Sequence, residues 1–239
     1  MADRKIESLA RSLRQKTEGL RRAGVRFHAK ATRTSPAKSE PASRDAEEND
    51  RSTQLGVLAT EVSGCTRCAE LARCRTQTVF GVGDPHAELC FVGEAPGADE
   101  DAQGEPFVGA AGQLLTRIIA AMGLERGQVY ICNVLKCRPP GNRTPSPDEV
   151  ANCRGFLDRQ LDIIRPKFIC ALGAVAAKTL LDSALSIGRL RGRLHNYRGI
   201  PVICTYHPAY LLRTPEAKKD VWEDIQMLMK ELGLSGRTQ

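Results

Sequence analysis

Three groups of side chains in this 239-residue sequence are of types and spacings that can do chemistry. The first is a set of cysteines. "GCTRC" places Cys65 and Cys68 in a C-x₂-C, a spacing that lets two thiolates from one turn bind the same metal centre. Cys137 and Cys153 bracket "RPPGNRTPSPDEVAN", whose prolines predict an irregular loop leading into a helix. Four thiolates from two distant segments suit a structural metal, and zinc and an iron–sulfur cluster both accept four cysteines, so spacing leaves the two open. Cys74, in "LARCRTQT", reads as a packing residue, and Cys90, Cys132, Cys170 and Cys204 as small buried hydrophobes inside predicted strands. The second group is a loop, "FVGEAPGADEDAQGEPFVGAAG" (91–112), rich in both glycine and carboxylates. It lacks the GxxxxGK[ST] and GxGxxG spacings, and its acids would repel a phosphate, so a nucleotide cradle is disfavoured. The third group is Asn133 and His207, each at the end of an apolar run.

The elements that must position these residues follow from the hydrophobic pattern. Residues 88–94, 129–136, 167–173 and 201–207 are short runs, apolar on both faces, and predict strands. Helical periodicity falls at 110–122, 147–164, 174–181 and 215–232. Strands alternating with helices imply an α/β fold with a parallel sheet covered on both faces, in which ligands bind beyond the carboxyl ends of the strands. There stand the 93–97 loop, Asn133, Gly173 and His207, converging on one expected pocket.

Residues 1–52 differ in character from the rest. Ile6, Leu9, Leu13 and Leu20 fall on one face of a short basic helix, and the Ser-, Pro- and charge-rich stretch after it predicts a disordered linker. The arm is read either as a solvated tail or as a DNA tether, and residues 53–235 as the folded domain. A net charge of +7 favours polyanionic partners. No apolar stretch is long enough to span a membrane, and no export signal is apparent, so the expected setting is a reducing one, where such cysteines are more often metal sites than disulfides.

Beyond these readings, "GEAPGADEDAQGEPFVGAAGQLL", "NVLKCRPPGNRTPSPDEVANC" and "YHPAYLLR", preceded by "CTRC" and "TVFGVGDPHAELCFVGEAPG", resemble the family 4 uracil-DNA glycosylases over about residues 57–232. The resemblance implies a three-layer α/β/α fold around a parallel four-stranded sheet and a [4Fe–4S] cluster on Cys65, Cys68, Cys137 and Cys153. It implies an enzyme that flips uracil out of DNA and hydrolyses its N-glycosidic bond, with uracil-containing DNA as partner. Phe107 would stack under the flipped base. Asn133 would read its edge, and His207 would donate to uracil O2 as charge develops there.

At Ala95 related family 1 enzymes carry an aspartate that positions water, so in this chain Ala95 only lines the substrate and another group must orient the water. Glu100 is the first candidate and Glu94 the second, with exclusion of the methyl group of thymine as the other reading of Glu100. Leu211 stands where superfamily members insert an apolar wedge, and Arg213 with Arg189, Arg191 and Arg193 would hold phosphates. The remaining expectations are a monomer in the prokaryotic cytoplasm or nucleoid. Two alternatives stand beside the hydrolase: a non-catalytic DNA- or polymerase-associated module, and a branch that captures uracil-DNA covalently through an added histidine. For the latter, His195 is the histidine near the relevant segment.

Overall fold

Leu89–Gly93, Tyr130–Asn133, Phe168–Leu172 and Ile200–Thr205 are built of residues that bury on both sides of a sheet, and they pair in parallel as its centre. A computed structural model, which describes residues 44–234, shows how they are wrapped. In chain order, α1 (Arg44–Ser63) and α2 (Ala69–Cys74) precede β1 (Val82–Gly83) and β2 (Leu89–Gly93). Then come α3 (Ala98–Gln103), α4 (Ala110–Ala121), β3 (Tyr130–Asn133), α5 (Pro147–Ile164) and β4 (Phe168–Leu172). The chain continues through α6 (Ala174–Leu181), α7 (Ile187–Leu190), β5 (Leu194–Tyr197), β6 (Ile200–Thr205), α8 (Pro208–Arg213) and α9 (Lys218–Leu232).

The sheet order is β1-β3-β2-β4-β6-β5. The parallel four-stranded centre is as expected, but the sheet is mixed and six-stranded because β1 and β5 add antiparallel edges. The β5–β6 edge comes from a two-residue turn whose Arg198 and Gly199 both take positive φ (49° and 89°), the geometry that matches the twist of a hairpin. That signal stood in "NYRGI" and was masked by the arginines around it.

Alternation along the strands divides the core. Cys90, Val92, Cys132, Ala171 and Cys204 face α1 and α5, while Leu89, Phe91, Ile131, Cys170 and Ile203 face α4 and α9. A fully buried Leu, Ile or Phe contributes about 1.5–3 kcal/mol, so these two layers carry most of the fold. Helix α5 starts where a capping box dictates: Ser146 Oγ accepts from Glu149 N, the Glu149 carboxylate accepts from Ser146 N at 2.8 Å, and Pro147 occupies the first turn.

Two boundaries differ from the sequence reading. Helix α1 begins at Arg44, inside the segment read as linker; Leu55, Leu58 and Val62 bury its face, Arg51 Nη1 donates to the Ile164 carbonyl at 2.8 Å, and once nucleated the helix extends back through the polar residues. The last helix starts at Lys218 after a 3₁₀ turn over Pro215–Ala217. The basic arm falls in residues 1–43, outside the described residues.

After β2 the chain crosses to one side of the sheet, and after β4 to the other. The carboxyl ends of β2 and β4 therefore diverge and leave a crevice between the 93–97 loop and Gly173.

Candidate active site

A cleft of about 560 Å³ opens in that crevice, lined by Glu94, Ala95, Glu100, Phe107, Asn133 and His207, with Arg213 and Arg143 at its margin. The expected pocket residues do come together.

Gly93 makes the convergence possible. It pairs with Asn133 across β2 and β3, and a Cβ there would lie 2.4 Å from Asn133 Oδ1 and 2.5 Å from Phe107 Cζ. Phe107 itself adopts a positive φ of 55°, which turns its ring over the strand ends, 5.5 Å from the His207 ring centroid. Asn133 is 2% exposed, and its Oδ1 has no hydrogen-bond partner. Leaving such an acceptor unpaired costs about 1–3 kcal/mol, so it is open to an N–H from a ligand.

His207 caps α8, its Nδ1 accepting from Ala209 N at 3.2 Å. Burial, reinforced by the Arg213 charge and opposed by Glu100, lowers its pKa to about 4. The ring is therefore neutral near pH 7, and because Nδ1 accepts, the proton sits on Nε2 as a donor.

The two carboxylates have different duties. Both oxygens of Glu100 are bound to the main chain: Oε2 accepts from Gly97 N, and Oε1 from Val108 N and Gly109 N, at 3.0–3.1 Å. Glu100 thus clamps the loop that carries Phe107. Glu94 lines the cleft, and burial raises its pKa. Both carboxylates line the cleft, and the clamp on Glu100 is what sets them apart.

Three other expectations are corrected. Leu211 is 1% exposed in the core beneath α8, so it is not presented as a wedge; its neighbours Tyr210 (37%) and Leu212 (47%) are the exposed apolar residues of that helix. Arg191 donates from Nε to buried Asp224 at 3.0 Å and its carbon Cζ lies 5.6 Å from the Tyr206 ring centroid, so it holds α7 to α9 instead of a phosphate. Cys74 is exposed instead of packed. Breaking a largely buried pair strands the partner charge, so Arg191→Ala should lower unfolding free energy by about 3 kcal/mol in urea titrations. The salt dependence of its DNA affinity should match wild type, and a flattened slope would return Arg191 to the interface.

His195 lies on β5 with Nε2 2.7 Å from the Leu190 carbonyl and lines a different groove, away from the cleft.

Cys65, Cys68, Cys137 and Cys153 line a second pocket, walled by Leu71 and Leu135. Arg75 Nη1 donates to Cys137 Sγ at 3.1 Å, Lys136 N to Cys153 Sγ at 3.3 Å and Asn152 Nδ2 to Cys68 Sγ at 3.7 Å. Burial pushes the Cys153 thiol up to about 11 and raises Cys68 and Cys137. Among the described residues no three His, Cys, Asp or Glu side chains gather closely enough to ligate a single ion. Arg143, which the sequence reading passed over, ties this pocket's walls together. Its guanidinium meets both oxygens of Glu149, at 2.7 and 2.9 Å, and Glu70 at 2.7 Å, which joins the Pro-rich loop to α5 and α2.

A doubly wound sheet thus gathers a histidine, an unpaired amide oxygen and an aromatic ring over one crevice, on a scaffold that also carries a four-cysteine pocket. Residues 80–226 match the family model described as the uracil DNA glycosylase superfamily, and the chain belongs to that family. It is 44% identical over 182 residues to a "Type-4 uracil-DNA glycosylase" of Archaeoglobus fulgidus, covering 73% of this chain and 91% of that protein. Proteins of the same description from Sulfurisphaera tokodaii and Thermotoga maritima are each 46% identical, covering 76% and 74% of this chain and 86% and 93% of theirs.

Proposed function

We propose that this protein is a DNA-repair uracil-DNA glycosylase that extrudes uracil from DNA and hydrolyses its N-glycosidic bond, releasing free uracil and leaving an abasic site. The observation that carries this reading is the unpaired Asn133 Oδ1 beside a neutral His207 donor in a pocket floored by Phe107. Asn133 Oδ1 accepts uracil N3–H and its amide nitrogen donates to O4, a pattern cytosine cannot return. His207 Nε2–H stabilises O2 as the uracil anion departs. Glu94, free of the clamping duty of Glu100, faces the cationic sugar and holds the attacking water. Exposed Tyr210 and Leu212 replace Leu211 as the groups that fill the vacated stack, and Arg213 holds a neighbouring phosphate.

The reading of a [4Fe–4S] cluster is supported by four cysteines that line one pocket, with N–H donors from Arg75, Lys136 and Asn152 on three of the sulfurs to stabilise thiolates, and by relatives described as type-4 enzymes. Cys65, Cys68, Cys137 and Cys153 would hold it. When bound, the cluster supplies four iron–thiolate bonds that tie the α2 segment to the Pro-rich loop. No described helix is long and apolar enough to cross a membrane.

The test is incubation with a uracil-containing oligonucleotide, followed by alkaline cleavage and denaturing electrophoresis. Cleavage at the uracil position, with free uracil released and iron and labile sulfide near four per chain, supports the reading. A cluster-bearing protein that leaves the strand intact overturns it, and a protein–DNA adduct stable to denaturation favours the covalent branch.

The basic arm is read as a solvated tail or as a tether, and one deletion separates the two. Residues 1–38 hold 11 Lys or Arg against three Asp or Glu, a surplus that binds phosphates and releases counterions. Deleting residues 1–43 should leave low-salt excision unchanged while lowering DNA affinity and flattening its salt dependence. Coincident slopes would make the arm a solvated tail.

A further inference from the structure

Between the two pockets lies a side chain that neither the sequence reading nor the proposed chemistry uses. Lys136 is 1% exposed, yet no carboxylate among the described residues lies within ion-pairing distance of it. Its Nζ donates to the Asn133 main-chain oxygen at 2.8 Å and to Gln160 Oε1, and stands 6.0 Å from the Phe80 ring centroid. The Gln160 amide is oriented by its own bonds, Nε2 donating to the Phe80 carbonyl at 3.0 Å and contacting Tyr130 Oη at 3.2 Å, so Oε1 must face the lysine. Every acceptor is neutral. An ammonium buried among neutral partners costs several kcal/mol unless an anion lies near.

The candidates for that anion are thiols: the Lys136 charge acts to lower the pKa of Cys153 against the burial that raises it, and the main chain of the same residue reaches that sulfur. Lys136 N donates to Cys153 Sγ, Lys136 precedes Cys137, and both cysteines line the four-cysteine pocket. Four thiolates around an iron–sulfur cluster or a zinc ion leave that centre net negative. We propose that Lys136 is a positioning residue that joins the two sites: its ammonium is the buried counter-charge of the thiolate centre, and its bond to the Asn133 carbonyl holds the base-reading amide in register. This inference rests on the proposed glycosylase function and its cysteine centre. It explains why the strand that carries Asn133 runs directly into a metal-ligand segment, "NVLKC". Charge at the centre and placement of the amide are thereby set by one side chain.

Three variants of the full chain separate the two duties. Lys136→Met keeps the length but removes the charge and the bond: the reduction potential of the bound cluster should shift to more negative values. Uracil excision should fall about 10-fold or more, with DNA affinity within about twofold of wild type. Lys136→Arg keeps the charge but cannot fit its fork between the Asn133 carbonyl and Gln160, so the potential should stay near wild type while excision falls. Gln160→Glu sets a carboxylate against the ammonium without removing the Asn133 bond, so the potential should shift negative while excision stays near wild type.

An unchanged potential in both Lys136→Met and Gln160→Glu overturns the counter-charge. Wild-type excision by both Lys136 variants overturns the positioning. Should Lys136→Met fail to fold, Gln160→Glu reads the charge and Lys136→Arg the placement. A wild-type protein that does not excise uracil overturns the proposed function, and the potentials still judge the counter-charge. If the wild type carries zinc, the cluster assignment fails instead, and the rate of stripping by a chelator, faster in Lys136→Met, replaces the potential.

Discussion

Replacing His207 with alanine should slow single-turnover excision of uracil by about 10²–10³-fold, the cost of removing one donor aimed at developing negative charge. Binding of uracil-containing DNA should change little, because the donor's bond strengthens mainly in the transition state. The pH profile distinguishes this role from acid catalysis by an imidazolium. Desolvation and the Arg213 charge hold His207 near pKa 4, so its Nε2–H donor is in place throughout the neutral range. As far as His207 decides it, excision should be flat from about pH 5.5 to 8.

A rate that climbs as pH falls through about 6.5 would show that the protonated ring acts, and would contradict this assignment. Stability follows the same shift. The unfolded chain takes up the proton near 6.5 and the folded one only near 4, so the contribution of the neutral ring is fully present above 6.5. It is lost as pH falls from 6.5 to 4, and His207→Ala should remove that part of the dependence.

The second large effect is expected from a single added methyl group. Gly93→Ala puts a Cβ 2.4 Å from Asn133 Oδ1 and 2.5 Å from Phe107 Cζ, so either the amide or the ring must leave its place. Overpacking of this kind costs about 1–3 kcal/mol of stability, which a two-layered core of this size tolerates. Displacing a positioning group by about an ångström, however, costs on the order of 10² in rate. The expected result is a folded protein with excision reduced about 100-fold or more. Normal excision by Gly93→Ala would show that the pocket has slack, and that Asn133 and Phe107 do not jointly grip the base.

Both predictions concern groups that the sequence exposed to inspection. Continuous apolar runs of strand length, spaced by helical periodicity, specify a parallel sheet whatever the details of packing, because only a sheet covered on both faces buries such strands. The ends of those runs then name the pocket, and His207, Asn133 and the 93–97 loop were legible for that reason. The cysteine set was legible in the same way, from spacing along the chain.

What spacing cannot show is which side of a short helix meets the core or which partner claims a charge. Leu211 and Leu212 are adjacent leucines, and only the seating of α8 on the sheet makes the first core and the second exposed. Arg191 differs from its neighbouring arginines in having Asp224 opposite, a partner 33 residues away that packing alone supplies. Glu100 and Glu94 were ranked by position in a motif, whereas their duties depend on three backbone N–H groups that converge on one carboxylate and not on the other. Lys136 looked like one more basic residue in a basic chain, until the fold closed around it and left it without a carboxylate. The sequence by itself determined the four central strands with the helices between them, the cysteine set and the ends of those strands, because periodicity and spacing are properties of the chain. The tertiary structure decided burial, pairing and charge balance, because those are properties of contacts between residues far apart along it.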